Sequence, residues 1–141
     1  MSNILICDDE KDIVSALRIC LAAEGYEIFE AYNGIQALEI IKANDIHLVL
    51  LDIMMPEMDG ISTLAKIRES YNMPVLFISA KSEDADKILG LNIGADDYIT
   101  KPFNIIEVVA RVKSNLRRYM RLGSNVSSSR IEIRGLCLDD N

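Results

Sequence analysis

The sequence predicts an α/β domain with a doubly wound, five-stranded parallel sheet of strand order 2-1-3-4-5 and helices on both faces. Two observations lead to this prediction. Short runs rich in leucine and β-branched residues alternate five times with longer segments of helical period. Three of these runs are apolar at successive positions, which is typical of parallel strands that helices cover on both sides.

The five predicted strands are these short apolar or alternating runs. They are Ile4–Cys7, Tyr26–Ala31, His47–Leu51, Val75–Ser79 and Tyr98–Thr100. The second run alternates between apolar and polar side chains, so we expect it at an edge of the sheet. Five βα units in this order are typical of the flavodoxin-like arrangement.

A helical segment follows each strand. The first carries Ile13, Leu17 and Leu21 on one face and stops at Gly25, which suits a left-handed cap. The other four helices are expected over Ile35–Ala43, Ile61–Glu69, Glu83–Ile93 and Asn104 to about Leu122.

Composition excludes several classes of protein. Half of the 141 residues are hydrophobic and 26% are charged, which predicts a compact core rather than a disordered chain. No apolar run is long enough to cross a bilayer, and we identify no secretory signal. The three cysteines lack the spacing of a disulfide framework or a zinc site, so we expect a reduced, cytoplasmic protein without a membrane partner.

The net charge of −7 is unevenly distributed. Residues 1–110 carry a charge of −11, whereas residues 111–141 carry +4. Because phosphate backbones repel so acidic a body, we do not expect it to bind nucleic acid by itself.

Polar residues, with Ala80 next to one of them, lie at the carboxyl ends of four predicted strands. They are Asp8-Asp9, Asp52, Ser79-Ala80 and Lys101. In an open parallel sheet these ends converge on one crevice, where ligands bind. Taken singly, each residue has an ordinary interpretation as a cap, a turn residue or a surface charge.

Three carboxylates in one crevice repel each other unless a cation lies between them. Oxygen ligands without histidine or thiolate favour Mg²⁺ or Mn²⁺. Lys101 and Ser79 would add the positive charge and the hydrogen-bond donor that a transferring phosphoryl group needs. Asp52, the central carboxylate, is the candidate nucleophile.

These residues resemble the receiver domain of bacterial two-component response regulators. Four segments carry the resemblance, namely Ile4–Glu10, Leu50–Gly60, Ile78–Lys81 and Gly94–Phe103. It covers residues 3–121, and the four segments in this order are highly specific.

The resemblance implies a role for each carboxylate. Asp52 would accept a phosphoryl group from a sensor histidine kinase. Asp9, Asp52 and the backbone carbonyl of Met54 would bind Mg²⁺ directly, and Asp8 would bind it through water.

It also implies roles around the phosphoryl group. Ser79, Ala80 and Lys101 would contact the phosphate, while Ser79 and Tyr98 would change position as a switch. The Lys101-Pro102 bond is expected to be cis, which proline allows at low cost.

Charged residues further resemble the OmpR/PhoB subfamily, whose output is a winged-helix DNA-binding domain. Three of them, Glu107, Arg111 and Arg118, fall within about 40° of each other on one helical face. The resemblance implies a homodimer surface, formed on phosphorylation, with the cross-protomer pairs Lys87–Glu107, Asp97–Arg111 and Asp96–Arg118. A solvated charged stripe, worth little for stability, is the simpler reading.

The chain is predicted to divide into three parts. Residues 1–122 form the receiver domain, 123–130 a polar linker, and 131–141 the truncated start of a C-terminal winged-helix domain. DNA would be bound only through the missing part of that domain.

The predicted function is a phosphorylation-activated response regulator that controls transcription. The domain would phosphorylate and slowly dephosphorylate itself rather than act as a turnover enzyme. Two alternatives remain open. A haloacid-dehalogenase-type phosphatase would carry a second Asp where this chain has Met54, and a receiver-like interaction module would never be phosphorylated.

Overall fold

The computed structural model describes residues 2–55, 57–79 and 94–127. Within these ranges five parallel strands form one sheet in the order β2-β1-β3-β4-β5, which confirms the predicted topology. The strands are β1 (Asn3–Cys7), β2 (Glu27–Ala31), β3 (Leu48–Asp52), β4 (Val75–Ser79) and β5 (Asp97–Thr100). Because all neighbours are parallel, the carboxyl ends of the strands lie at one edge of the sheet.

The burial of the strands follows their sequence patterns. Every residue of β3 and β4 is buried, as expected of continuously apolar strands between helical layers. In β2 only Ala31 is fully buried, and this strand lies at one edge of the sheet, as its alternation predicted.

Helices cover both faces of the sheet. The described helices are α1 (Lys11–Ala22), α2 (Gly34–Ala43), α3 (Gly60–Arg68) and a long helix (Ile105–Ser127). Residues of α1 and the long helix build the core on one face, and residues of α2 and α3 build it on the other. Among the described residues, no helix combines the length and apolar character needed to span a membrane.

The long helix continues to Ser127, five residues beyond its predicted end at Leu122. It therefore includes part of the segment predicted as a linker. The reason is that glycine and serine lower helix propensity by less than about 1 kcal/mol each, whereas only proline forbids the helix. The predicted helix Glu83–Ile93 and the predicted strands after residue 130 lie outside the described residues.

Local signals set where the helices begin and end. The side chains of Asn33 and Asp59 accept hydrogen bonds from backbone N–H groups in the first turns of α2 and α3. Gly25 ends the first helical segment at φ +95°, the left-handed conformation predicted for it. At Gly60 a Cβ atom would lie 2.3 Å from the backbone oxygen of Asp52, so only glycine lets α3 start this close to the end of β3.

Candidate functional site

Three carboxylates meet at the carboxyl edge of the sheet. Asp8 directly follows β1, and Asp52 is the last residue of the neighbouring strand β3. One oxygen from each of Asp8, Asp9 and Asp52 lies within 4.8 Å of the others. The side chains of Asp8 and Asp52 are buried, whereas Asp9 is exposed and opens the cluster to solvent.

Lys101 brings a positive charge to these carboxylates from β5, the strand that forms one edge of the sheet. It follows β5, and its backbone N–H donates to the Ser79 carbonyl oxygen at 2.8 Å. Its side chain extends across the ends of β4 and β3, so that Nζ lies 3.0 Å from Asp8 Oδ2 and 3.7 Å from Asp52 Oδ1. The Lys101-Pro102 peptide bond is cis, as the resemblance implied.

The carboxyl groups of Asp52 and Asp8 are hard to ionise in this arrangement. Burial, followed by the nearby negative charge of Asp8, raises the pKa of Asp52 to about 7. The attraction of Lys101 and a hydrogen bond from the Met54 N–H oppose this rise without cancelling it. Burial likewise raises the pKa of Asp8.

Lys101 remains a cation here. Burial by itself would lower the pKa of this ammonium group, but the contacts with Glu10 and Asp8 outweigh burial and raise it. One lysine cannot neutralise this site, because the site contains four carboxyl groups. Lys101 contacts those of Asp8, Glu10 and Asp52, and Asp9 lies beside Asp8 and Asp52.

The residues fit a hard divalent cation. Asp8 Oδ2 is buried and makes no hydrogen bond of good geometry with any described residue, although Lys101 Nζ lies close to it. The clustered donors are all carboxylate oxygens, the ligand type that Mg²⁺ and Mn²⁺ prefer. A cation would lower the energy of the ionised carboxylates and use the unsatisfied oxygen.

Ser79 and Tyr98, the predicted switch residues, lie on the neighbouring strands. Ser79 is the buried last residue of β4 and pairs with Thr100 of β5. Tyr98 lies in β5 and is partly buried against the core. Ala80 lies outside the described residues, and the role of the Met54 carbonyl remains a prediction.

Glu10, for which the sequence predicted no role, contacts Lys101. Glu10 Oε1 accepts a hydrogen bond from Lys101 Nζ at 3.0 Å. The only sequence signal is position, because Glu10 directly follows the Asp8-Asp9 pair. That signal places Glu10 at the right edge of the sheet but does not say that its side chain turns toward residue 101.

Part of the predicted dimer surface forms a charged network within the chain. Arg111 Nη1 lies 2.6 Å from Asp97 Oδ1, and Arg111 Nε lies 3.0 Å from Glu107 Oε2. The side-chain amide of Asn115, for which the sequence predicted no role, donates to Asp97 Oδ2 at 3.1 Å. Asp97 and Arg111 were predicted to pair across a dimer, and the structure shows that they can also pair within one chain.

Two further members of the predicted dimer surface, Asp96 and Arg118, have other partners in the described chain. Asp96 Oδ2 pairs with Arg68 Nη2 at 2.8 Å and accepts from the Val75 N–H at 2.9 Å. Arg118 donates to the Asn115 side chain. Lys87 lies outside the described residues. The structure describes a single chain, so all three cross-protomer pairs stay predictions.

Comparisons with known proteins agree on one family. Residues 4–113 match the family described as "Response regulator receiver domain". The regulatory protein VanRc of Enterococcus gallinarum is 46% identical over 130 residues, which are 92% of this chain and 56% of that protein. The response regulator GtcR of Aneurinibacillus migulanus is 49% identical over 116 residues, 82% of this chain and 48% of that protein.

A solved structure of a receiver domain also resembles this chain. The receiver domain of the Francisella response regulator 1452 has a TM-score of 0.78 and 37% identity, covering 84% of this chain and 98% of that one. The match thus spans nearly the whole of the solved receiver domain. It spans about half the length of the curated relatives that it matches.

Proposed function

This chain belongs to the family of response regulator receiver domains, and on that premise we propose that it accepts a phosphoryl group on Asp52 from a sensor histidine kinase. One observation carries the assignment to Asp52. Its carboxylate is buried at the end of β3, within 4.8 Å of carboxylate oxygens of Asp8 and Asp9, and the Lys101 ammonium lies 3.7 Å from its Oδ1. A buried nucleophile with a positive charge beside it is arranged for phosphoryl transfer.

In the proposed reaction an Asp52 carboxylate oxygen forms a bond to the phosphorus of a phosphohistidine. The P–N bond breaks, and its electron pair stays on the imidazole nitrogen. Lys101 turns its ammonium group toward the phosphoryl oxygens, and the Ser79 hydroxyl donates to one of them. Asp8, Asp9 and Asp52 would hold a Mg²⁺ ion, with the Met54 carbonyl, and the ion supplies charge neutralisation when bound.

The proposal extends to the output of the switch. Phosphorylation would add negative charge and hydrogen-bond acceptors next to Ser79, draw that side chain inward, and let Tyr98 follow. The surface of the predicted helix 83–93, β5 and the long helix would then favour a homodimer. In the cytoplasm, a DNA-binding domain outside this chain would couple that dimer to transcription, and the curated relatives are long enough to hold a further domain.

The phosphoacceptor assignment is tested by mass spectrometry of the intact chain. After incubation with acetyl phosphate and Mg²⁺, we expect one added phosphoryl group that is labile, Mg²⁺-dependent and absent from Asp52→Asn. Glu39→Gln, which alters an exposed carboxylate on α2, should be labelled like the wild type. Rapid multiple turnover of phosphate esters would instead favour the phosphatase, and the absence of any adduct would favour the interaction module.

The dimer surface is tested by sedimentation of the phosphorylated chain. Arg111→Glu should abolish phosphorylation-induced dimerisation, because it reverses the charge that the proposal pairs with Asp97. Arg117→Glu makes the same charge change on an exposed residue of the same helix and should dimerise normally. Unchanged sedimentation of Arg111→Glu would refute this surface while leaving the phosphoacceptor assignment intact.

A further inference from the structure

Glu10 occupies an unusual position at the start of α1. It is the N-cap residue of that helix, yet its side chain makes no capping hydrogen bond. The carboxylate instead accepts a hydrogen bond from Lys101, which lies 91 positions away in the sequence. A residue at the start of a helix normally satisfies the free N–H groups of the first turn, so this side chain is used for a different contact.

Stability does not account for this contact. The Glu10 side chain is 61% exposed, whereas that of Lys101 is only 14% exposed. An ion pair with so exposed a partner adds little to folding, because water screens the charges and side-chain entropy is lost. The contact nevertheless gives the Lys101 ammonium group a hydrogen-bond partner outside the three clustered carboxylates.

Lys101 Nζ lies at equal distance from two carboxylate oxygens and donates a hydrogen bond to that of Glu10. Nζ lies 3.0 Å from both Glu10 Oε1 and Asp8 Oδ2, and it is farther, at 3.7 Å, from Asp52 Oδ1. Lys101 is therefore held to one side of the carboxylate that would be phosphorylated. The ammonium group has three N–H donors, so it can bind phosphoryl oxygens on Asp52 at full strength only if it shifts away from its present place beside Glu10 and Asp8.

We propose that Glu10 is a positioning residue that restrains Lys101 in the unphosphorylated chain and thereby slows phosphorylation of Asp52. This role rests on the proposed function. Glu10 is the partner that is released, because its exposed carboxylate regains hydration when the contact breaks, whereas the Asp8 oxygen is buried. The phosphoryl group then replaces Glu10 as the partner of Lys101.

A simpler electrostatic effect must be separated from this restraint. The distances through Lys101 place the Glu10 carboxylate within about 7 Å of the Asp52 oxygen, so Glu10 also repels an anionic phosphodonor. That repulsion needs only a negative charge at residue 10, whereas the restraint needs a side chain long enough to reach Lys101. Glu10→Asp keeps the charge but is one methylene shorter, while Glu10→Gln removes the charge.

The experiment measures the rate constant of adduct formation by mass spectrometry, with saturating Mg²⁺ and either acetyl phosphate or phosphoramidate as the donor. The new P–O bond forms to Asp52, and the donor's P–O or P–N bond breaks, so that acetate or ammonia leaves with the electron pair. We expect Glu10→Gln and Glu10→Asp each to react about three to ten times faster than the wild type. The factor should be the same for both donors, since release of Lys101 does not depend on the donor.

Asp12→Asn is the matched control, because it removes an exposed carboxylate from the first turn of the same helix. We expect it to react at the wild-type rate, and urea unfolding should show that all variants remain folded. Acceleration of Glu10→Gln alone, or a larger factor with the more anionic donor, would overturn the restraint in favour of charge repulsion. Equal rates in all variants would overturn any role of Glu10, whereas a wild-type chain that forms no adduct would refute the proposed function itself.

Discussion

Replacing Asp52 with asparagine should stabilise the protein when no divalent cation is present. Burial and the charge of Asp8 raise the pKa of Asp52 from 3.8 to about 7. The unfolded chain ionises Asp52 near its ordinary pKa, so the folded state is penalised increasingly as the pH rises from about 4 to about 7. Asparagine has nearly the shape of the protonated acid and carries no charge at any pH, so it escapes this penalty.

The size of the effect follows from the pKa difference. A shift of about three units corresponds to about 4 kcal/mol above pH 7, where the folded protein must carry the charge. The exposed Asp9 and Glu10 open the cluster to water and salt, so we discount this figure to about 2 kcal/mol. At pH 5 the folded wild type keeps its proton on Asp52, and the advantage of asparagine should fall below about 1 kcal/mol.

Urea unfolding, followed by circular dichroism at pH 5 and pH 8 in a chelator, measures this difference. Asp52→Asn should have the larger free energy of unfolding at pH 8, and Glu39→Gln should match the wild type. Saturating Mg²⁺ should narrow the gap, because each tenfold excess over Kd adds about 1.4 kcal/mol to the state that binds it. If Asp52→Asn is no more stable than the wild type at pH 8, or if the gap is independent of pH, the electrostatic reasoning is wrong.

Three further substitutions test how the fold supports the site. Gly60→Ala should lower the free energy of unfolding by about 1–3 kcal/mol, because the new Cβ would meet the Asp52 carbonyl oxygen. It should also slow phosphorylation of the chain. If the variant is as stable as the wild type, the contact between residue 60 and Asp52 is not tight. Arg68→Met should lower the free energy of unfolding in urea by about 2 kcal/mol, because the guanidinium donates hydrogen bonds to two backbone carbonyls and pairs with Asp96. An unchanged urea midpoint would contradict this expectation. Glu57→Gly should raise the free energy of unfolding by up to about 1 kcal/mol, because Glu57 has a φ of +69° that favours glycine. A lower free energy of unfolding would argue against backbone strain at this residue.

The sheet topology was predictable because it depends on patterns that are local in the chain. Continuous apolar runs predicted the buried strands, and the alternation in residues 26–31 predicted an edge strand, both as the structure has them. The predicted end of the long helix at Leu122 was wrong, since a polar composition weakens a helix without stopping it.

The meeting of Asp8, Asp9, Asp52 and Lys101 followed from the same reasoning. Strands that run parallel bring their carboxyl ends to one edge, so residues directly after different strands become neighbours whatever their separation in sequence. The phosphoacceptor and metal-binding roles proposed for them rest on the chemistry of that cluster and on the family to which the chain belongs.

The sequence by itself thus determined the strand order, the edge of the sheet that carries the site, and the gathering of Asp8, Asp9, Asp52 and Lys101 there. Only the tertiary structure decided how the long side chains are shared among partners, as where Lys101 divides between Glu10 and Asp8, or Asp96 pairs with Arg68. The physical reason is that backbone position follows from hydrophobic periodicity. The direction of a flexible charged side chain depends instead on which acceptors lie within reach, how buried they are, and how strongly they compete.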